Sequence, residues 1–254
     1  MDETRDPKRH LELEGAQNVR DLGGYTTMDG DRTRWRRFLR SDGMHLLTEA
    51  DQDTLLAYGV GTVIDLRMSM EVEKSPNVFT NSNKVVFHHL DLMADLKKDS
   101  LRKDSELSNP AQRFAYMYQQ FLSKCRDNVG KIMATLADAE NNASMYHCAG
   151  GKDRTGVISA LLLGIAGVPD DTIAEDYALT SMYPTKTKRP TLGSPETDFV
   201  LDPLYAYKMV CPPEAMLLTL GYLKEKYGSV KSYLRWIGLT AKQIDRLKSK
   251  MLEA

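Results

Sequence analysis

The chain has 254 residues, 42% hydrophobic and 27% charged, with a formal net charge of −1. That is enough for one large α/β domain or two small ones with a sizeable core, and too little charge for general attraction to nucleic acid or an anionic membrane. Three cysteines, Cys125, Cys148 and Cys211, are too few and too scattered for a disulfide framework.

Residues 1–14 are mostly charged and are expected to form a loose arm ahead of a single domain over residues 15–254. The start, Met1-Asp2-Glu3-Thr4-Arg5-Asp6, has no apolar core and is not a signal peptide. The longest nearly uninterrupted apolar run, residues 157–168, is too short to cross a bilayer. A cytoplasmic protein is expected, or one exported without a cleaved signal, and no membrane insertion.

Turn-rich Asn18-Val19-Arg20-Asp21-Leu22-Gly23-Gly24-Tyr25 comes first, and Asp29-Gly30-Asp31 has the look of a hairpin tip. Residues 33–40 set Arg34, Arg36, Arg37 and Arg40 around Trp35 and Phe38, a solvated strand edge or a phosphate-facing patch. Thr48-Glu49-Ala50-Asp51 starts a helix that stops at Gly59. The β-branched run 60–66 is a buried strand, residues 84–90 are a second, and the polar stretch 91–108 is a long loop or lid.

Asn109 caps a helix whose Phe114, Met117, Tyr118, Phe121 and Leu122 share one apolar face. A further helix covers residues 129–139, a strand 143–147, and a helix apolar nearly all round 155–165. Helices at 169–182, from Pro213, at 230–236 and from Thr240 complete the chain, with an exposed loop at 183–202. Lys186, Lys188 and Arg189 in that loop make a solvated charge run. Strands alternate with helices in the first half and helices dominate the second, so an α/β fold with a helical flank follows.

The chemistry concentrates in Tyr146-His147-Cys148-Ala149-Gly150-Gly151-Lys152-Asp153-Arg154-Thr155-Gly156. A strand turning sharply into a helix leaves backbone N–H groups unpaired at the helix start, a site for a phosphate-sized anion. Gly150 and Gly151 are expected to supply the unusual backbone angles that curl Ala149, Gly150, Gly151, Lys152, Asp153 and Arg154 around one centre. Arg154 can fork onto two phosphate oxygens. Cys148 at the base of this cup is expected to act as a thiolate and attack phosphorus. The leaving oxygen needs a proton, and both Asp153 and Asp91 are candidates to give it. Thr155 can donate its hydroxyl to the sulfur, and His147 can orient the loop. His88-His89 point to opposite faces of a strand, without a metal cluster around them; no metal and no cofactor is called for. Cys125 and Cys211 read as buried hydrophobes, and Arg67 with Glu71 as a structural ion pair.

His-Cys-x5-Arg-Thr-Gly resembles the signature loop of the protein tyrosine phosphatase superfamily. The fuller His147-Cys148-x-x-Gly151-Lys152-Asp153-Arg154-Thr155-Gly156 is similar to that of a bacterial subgroup, the LipA-like tyrosine and phosphoinositide phosphatases. Asn18-Val19-Arg20-Asp21-Leu22-Gly23-Gly24, Leu39-Arg40-Ser41-Asp42, Asp65-Leu66-Arg67 with Glu71, and Asp176-Tyr177-Ala178-Leu179 resemble further motifs of that group. The resemblance spans residues 15–252. It implies a phosphatase-type α/β fold with a mostly parallel sheet, extra C-terminal helices, and a phosphorylated protein or phosphoinositide as substrate. It makes Cys148 the nucleophile, Arg154 the clamp and Asp153 the acid, while the Trp-Pro-Asp acid loop of other tyrosine phosphatases is absent. Lys152 also occurs in lipid phosphatases, where it contacts additional inositol phosphates. A sulfurtransferase and a phospho-binding module without turnover are the alternatives from other classes.

Overall fold

A computed structural model describes residues 3–96, 107–140, 142–183 and 210–253. Five strands form one sheet: β1 Arg20–Asp21, β2 Phe38–Ser41, β3 Val60–Asp65, β4 Val86–His89 and β5 Ala143–His147. Their order is β1-β2-β5-β3-β4. β1 runs antiparallel to β2, and every other pairing is parallel. The central strand is therefore β5, and its carboxyl end, where parallel sheets place their ligands, leads directly into Cys148.

Both faces of the sheet are covered. Phe38, Ile64 and Tyr146 project into one core and their neighbours Leu39, Val63 and Met145 into the other, the period-two alternation of a strand buried on both sides. Helix α1 (Glu49–Tyr58) packs on the smaller core. On the larger lie α3 (Pro110–Lys124), α4 (Arg126–Asp138), α5 (Asp153–Ala166), α6 (Asp170–Ala178), α7 (Pro213–Tyr227), α8 (Val230–Trp236) and α9 (Ala241–Met251). α5 is buried almost all round, as its unbroken apolar sequence predicts. A short helix α2 (Ser69–Lys74) follows β3 and has no counterpart among the predicted elements.

Local chemistry accounts for many boundaries. Thr48 and Asp51 exchange bonds in a capping box at the start of α1, and Gly59 ends it in the left-handed region at φ 105. Asn109 caps α3 through the N–H groups of Ala111 and Gln112. The turn at 27–31 closes a hairpin, with Thr26 bridging Arg32.

Two expectations need correction. Residues 3–14 are not a loose arm: two short 3₁₀ turns lead to Arg9, whose buried guanidinium donates to the carbonyls of Asp21 and Gly23 and lies over the Tyr25 ring. The four arginines of residues 33–40 do not share a surface either. Arg36 lies over Tyr58, whereas Arg40 is fully buried. Of the loop expected at 91–108, residues 97–106 lie outside the described residues, and Leu92 at its start is buried. Lys186, Lys188 and Arg189 also lie outside them. Among the described residues no helix is long and apolar enough to cross a membrane.

Candidate active site

Cys148 follows β5 directly and is buried at 2% exposure. Residues 149–152 bend sharply before α5 begins at Asp153. Their carbonyl oxygens are held from outside: Gly43 N–H donates to Ala149, Asn18 Nδ2 to both Gly150 and Gly151, and Arg40 Nη2 to Gly151 at 2.8 Å. These bonds engage the loop carbonyls, while the first N–H groups of α5 have no intrahelical partners, the arrangement that suits an anion at a helix start.

Gly151 is the residue that permits this turn. Its φ is 63, and a Cβ there would lie 2.7 Å from the Ser41 carbonyl and 2.8 Å from Asn18 Nδ2. The paired expectation for Gly150 is not met, since its φ is not positive and a Cβ added there would meet open space.

The anchors of the loop are themselves fixed by a buried ionic cluster. Arg40 Nη1 pairs with Asp176 at 2.5 Å, Arg20 lies 3.7 Å from the same carboxyl, and Tyr25 donates to it at 2.9 Å. Arg20 also donates to the side-chain oxygen of Asn18, leaving the Asn18 amide nitrogen for the loop. Burial opposes the charge of Asp176, but Arg40 and then Arg20 outweigh it and hold the carboxyl below its usual range. Burial lowers Arg20 to about 10, with Arg40 adding to the shift.

Arg154 is gripped by Glu71 from α2, Nη1 to Oε2 at 2.5 Å and Nη2 to Oε1 at 3.0 Å. The expected Arg67–Glu71 pair is not formed. Arg67 instead folds onto Asp65 at 2.7 Å and donates to the Ser75 carbonyl. Burial opposes the charge on Glu71, yet Arg154 wins and keeps its carboxyl below the ordinary value.

His147 is buried and set by its neighbours. Phe79 N–H donates to Asn77 Oδ1, which turns the Asn77 amide nitrogen onto His147 Nε2 at 2.7 Å. The other ring nitrogen, Nδ1, then donates to the Cys148 carbonyl at 3.0 Å. Thr155 Oγ1 is buried and has no hydrogen-bond partner, so its bond to the sulfur is not formed here.

The two carboxylates considered as acids are placed differently. Asp153 Oδ1 accepts from Tyr118 at 2.7 Å and lies 4.0 Å from Lys152 Nζ, while the side chain keeps 35% exposure. Tyr118 touches Tyr177, hydroxyl to hydroxyl, at 2.7 Å. Burial first, and Asp153 second, hold the Tyr118 hydroxyl well above its ordinary value, so it stays a protonated donor. Asp91 caps its own turn by accepting from Met93 N–H and lines a shallow hollow with His89, Asn128 and Lys131.

Lys152 is buried, with Nζ 3.6 Å from the centre of the Phe114 ring, and burial lowers it despite the nearby Asp153. Cys125 and Cys211 are free and buried; burial pushes Cys125 up to about 12. His89 bonds the Arg67 carbonyl through Nε2.

A family model described as the tyrosine phosphatase family matches residues 11–253. A tyrosine-protein phosphatase of Nostoc commune is 28% identical over 225 residues, 85% of this chain and 74% of the relative. A triple specificity protein phosphatase of Mycobacterium tuberculosis is 26% identical over 95% of this chain and 98% of its own. The matched span holds all five strands, the loop after β5 and the helices of both faces: the chain belongs to the tyrosine phosphatase family and is a phosphatase built on its α/β fold.

Proposed function

We propose that the protein hydrolyses phosphotyrosine in phosphorylated proteins through a phosphocysteine intermediate, as a member of the LipA-like bacterial group. The loop at the carboxyl end of β5 supports this most. Cys148 sits at its base, its carbonyls are tied outward by Asn18, Arg40 and Gly43, and Arg154 is held at its rim.

In this reading the Cys148 sulfur attacks phosphorus as a thiolate, forming an S–P bond while the P–O bond to the tyrosyl oxygen breaks. The loop N–H groups and the free edge of Arg154 hold the non-bridging oxygens. Asp153 gives its proton to the departing phenolate, then takes one from the water that attacks the S–P bond, which releases phosphate and restores the thiolate. Asp153 is preferred to Asp91 because Asp153 opens α5 beside Arg154, while Asp91 is engaged in its own turn. The placement of Lys152, buried over Phe114, favours a single phosphate in the cup over an inositol ring with several.

Phosphate release from a phosphotyrosine peptide, a phosphoserine peptide and a phosphoinositide tests the reading. Cys148→Ser is expected to abolish release from all of them; full activity in that variant would sink the mechanism. Asp153→Asn is expected to lower kcat/KM for the tyrosyl ester by about 10²–10⁴-fold and to remove the basic limb of its pH profile, while Asp91→Asn leaves both in place.

A further inference from the structure

Tyr118 lies on the face of α3 that its sequence assigns to the core, and its ring is fully buried there. Its hydroxyl nevertheless ends on Asp153 Oδ1 at 2.7 Å and on the Tyr177 hydroxyl at 2.7 Å. A phenol has one proton to give. With an ionised Asp153 accepting it, the Tyr118 oxygen must accept from Tyr177, so the order is Tyr177 to Tyr118 to Asp153.

We propose that Tyr118, backed by Tyr177, is a positioning residue for the catalytic acid: it occupies Oδ1 of Asp153 and thereby puts the transferable proton on Oδ2. The inference rests on Asp153 being the acid. Lys152 Nζ also lies 4.0 Å from Oδ1, so among the described residues the nearest cation and the hydrogen-bond donor lie on the same oxygen. Among the described residues, the charged or titratable groups around Asp153 are Tyr118 from α3, Tyr177 from α6, Cys211 ahead of α7, and Lys152 and Arg154 beside it in the chain. Of these, Tyr118 is the side chain that donates a hydrogen bond to the carboxylate. One face of α3 thus meets both residues of the Lys-Asp pair, Phe114 under Lys152 and Tyr118 under Asp153.

An acid matters more as the leaving group becomes more basic, and this separates positioning from packing. The full chain and its Tyr118→Phe, Tyr177→Phe and Asp153→Asn variants are assayed on phosphotyrosine and on 4-nitrophenyl phosphate, whose phenolate needs little protonation. Tyr118→Phe is expected to cut kcat/KM for phosphotyrosine by about tenfold and for the nitrophenyl ester by less than about threefold, the scale of one bond to a charged group. Losing a donor to the carboxylate favours its protonated form, so the basic limb should move to higher pH. Tyr177→Phe should change both in the same direction by less. An equal loss on the two esters with an unmoved limb would overturn the proposal and leave Tyr118 a packing residue. If Asp153→Asn removes the limb and Tyr118→Phe behaves as wild type, this inference alone falls. If Asp153→Asn keeps both the limb and the ester ratio, the assignment of the acid falls first and takes this inference with it.

Discussion

Glu71 occupies the Nη1–Nη2 edge of Arg154, which leaves the Nε–Nη2 edge of the same planar group for two phosphate oxygens. A guanidinium fixed along one edge loses little freedom when the other is used, so in the proposed mechanism Glu71 would set Arg154 before substrate arrives. Glu71→Gln keeps the shape and removes the charge. It is expected to lower kcat/KM by roughly tenfold, mostly through KM, with steady-state kinetics on a phosphotyrosine peptide as the check. The pair also has a pH window. Glu71 is held below its ordinary value of 4.5, so the pair contributes fully above that value and fades as pH falls through the lower folded one. Near neutral pH the clamp stays set.

The loop between β5 and α5 depends on one left-handed residue. Gly151→Ala would force a Cβ into a φ of 63 and within 2.7 Å of the Ser41 carbonyl, costing about 1–3 kcal/mol of strain. Lower urea stability together with weaker inhibition by phosphate is expected, whereas Gly150→Ala, with nothing within 4 Å of its new methyl, should change neither by much. Wherever a local rule decided the outcome, the sequence was legible: the Thr48 cap and Gly59 stop of α1, the Asn109 cap of α3, and β5 with the helix after it. The α/β fold class was legible for the same reason, because alternation and period are written along the chain. Partners distant in sequence were not. Arg20, Arg40 and Asp176 have the composition of solvated residues, and only the tertiary fold, which brings the two guanidinium groups onto the carboxylate, removes them from water. Arg9 misled in the same way, its charged surroundings suggesting a loose arm. Tyr118 failed in the opposite sense, since a tyrosine on an apolar stripe gives no sign of where its hydroxyl ends.

Across the whole molecule, strands β1 and β2 meet helix α6 at Asp176 through Arg20 and Arg40, and Arg40 carries the contact on to the loop after β5. Two arginines against one aspartate leave this buried cluster with a positive balance, bonded through Arg40 to the loop proposed to bind phosphate. Asp176→Asn would leave both guanidinium groups without their carboxylate, at a cost of about 3–5 kcal/mol, measurable by urea unfolding at pH 7. Asp176 sits below its ordinary 3.8, so its contribution is complete above that value and is lost as pH falls through the folded one. Asp21 and Asp42, pushed up by burial, work in the other direction. Acid unfolding of the wild type should therefore be steeper than that of Asp176→Asn. An anion bound in the proposed cup would bind the folded chain alone and so raise its heat resistance, and the bond from Arg40 to the Gly151 carbonyl ties the Asp176 cluster to that same loop. Vanadate filling the cup should raise the melting temperature in proportion to the logarithm of its concentration. With Arg40 released from Asp176, the rise should begin at a higher vanadate concentration.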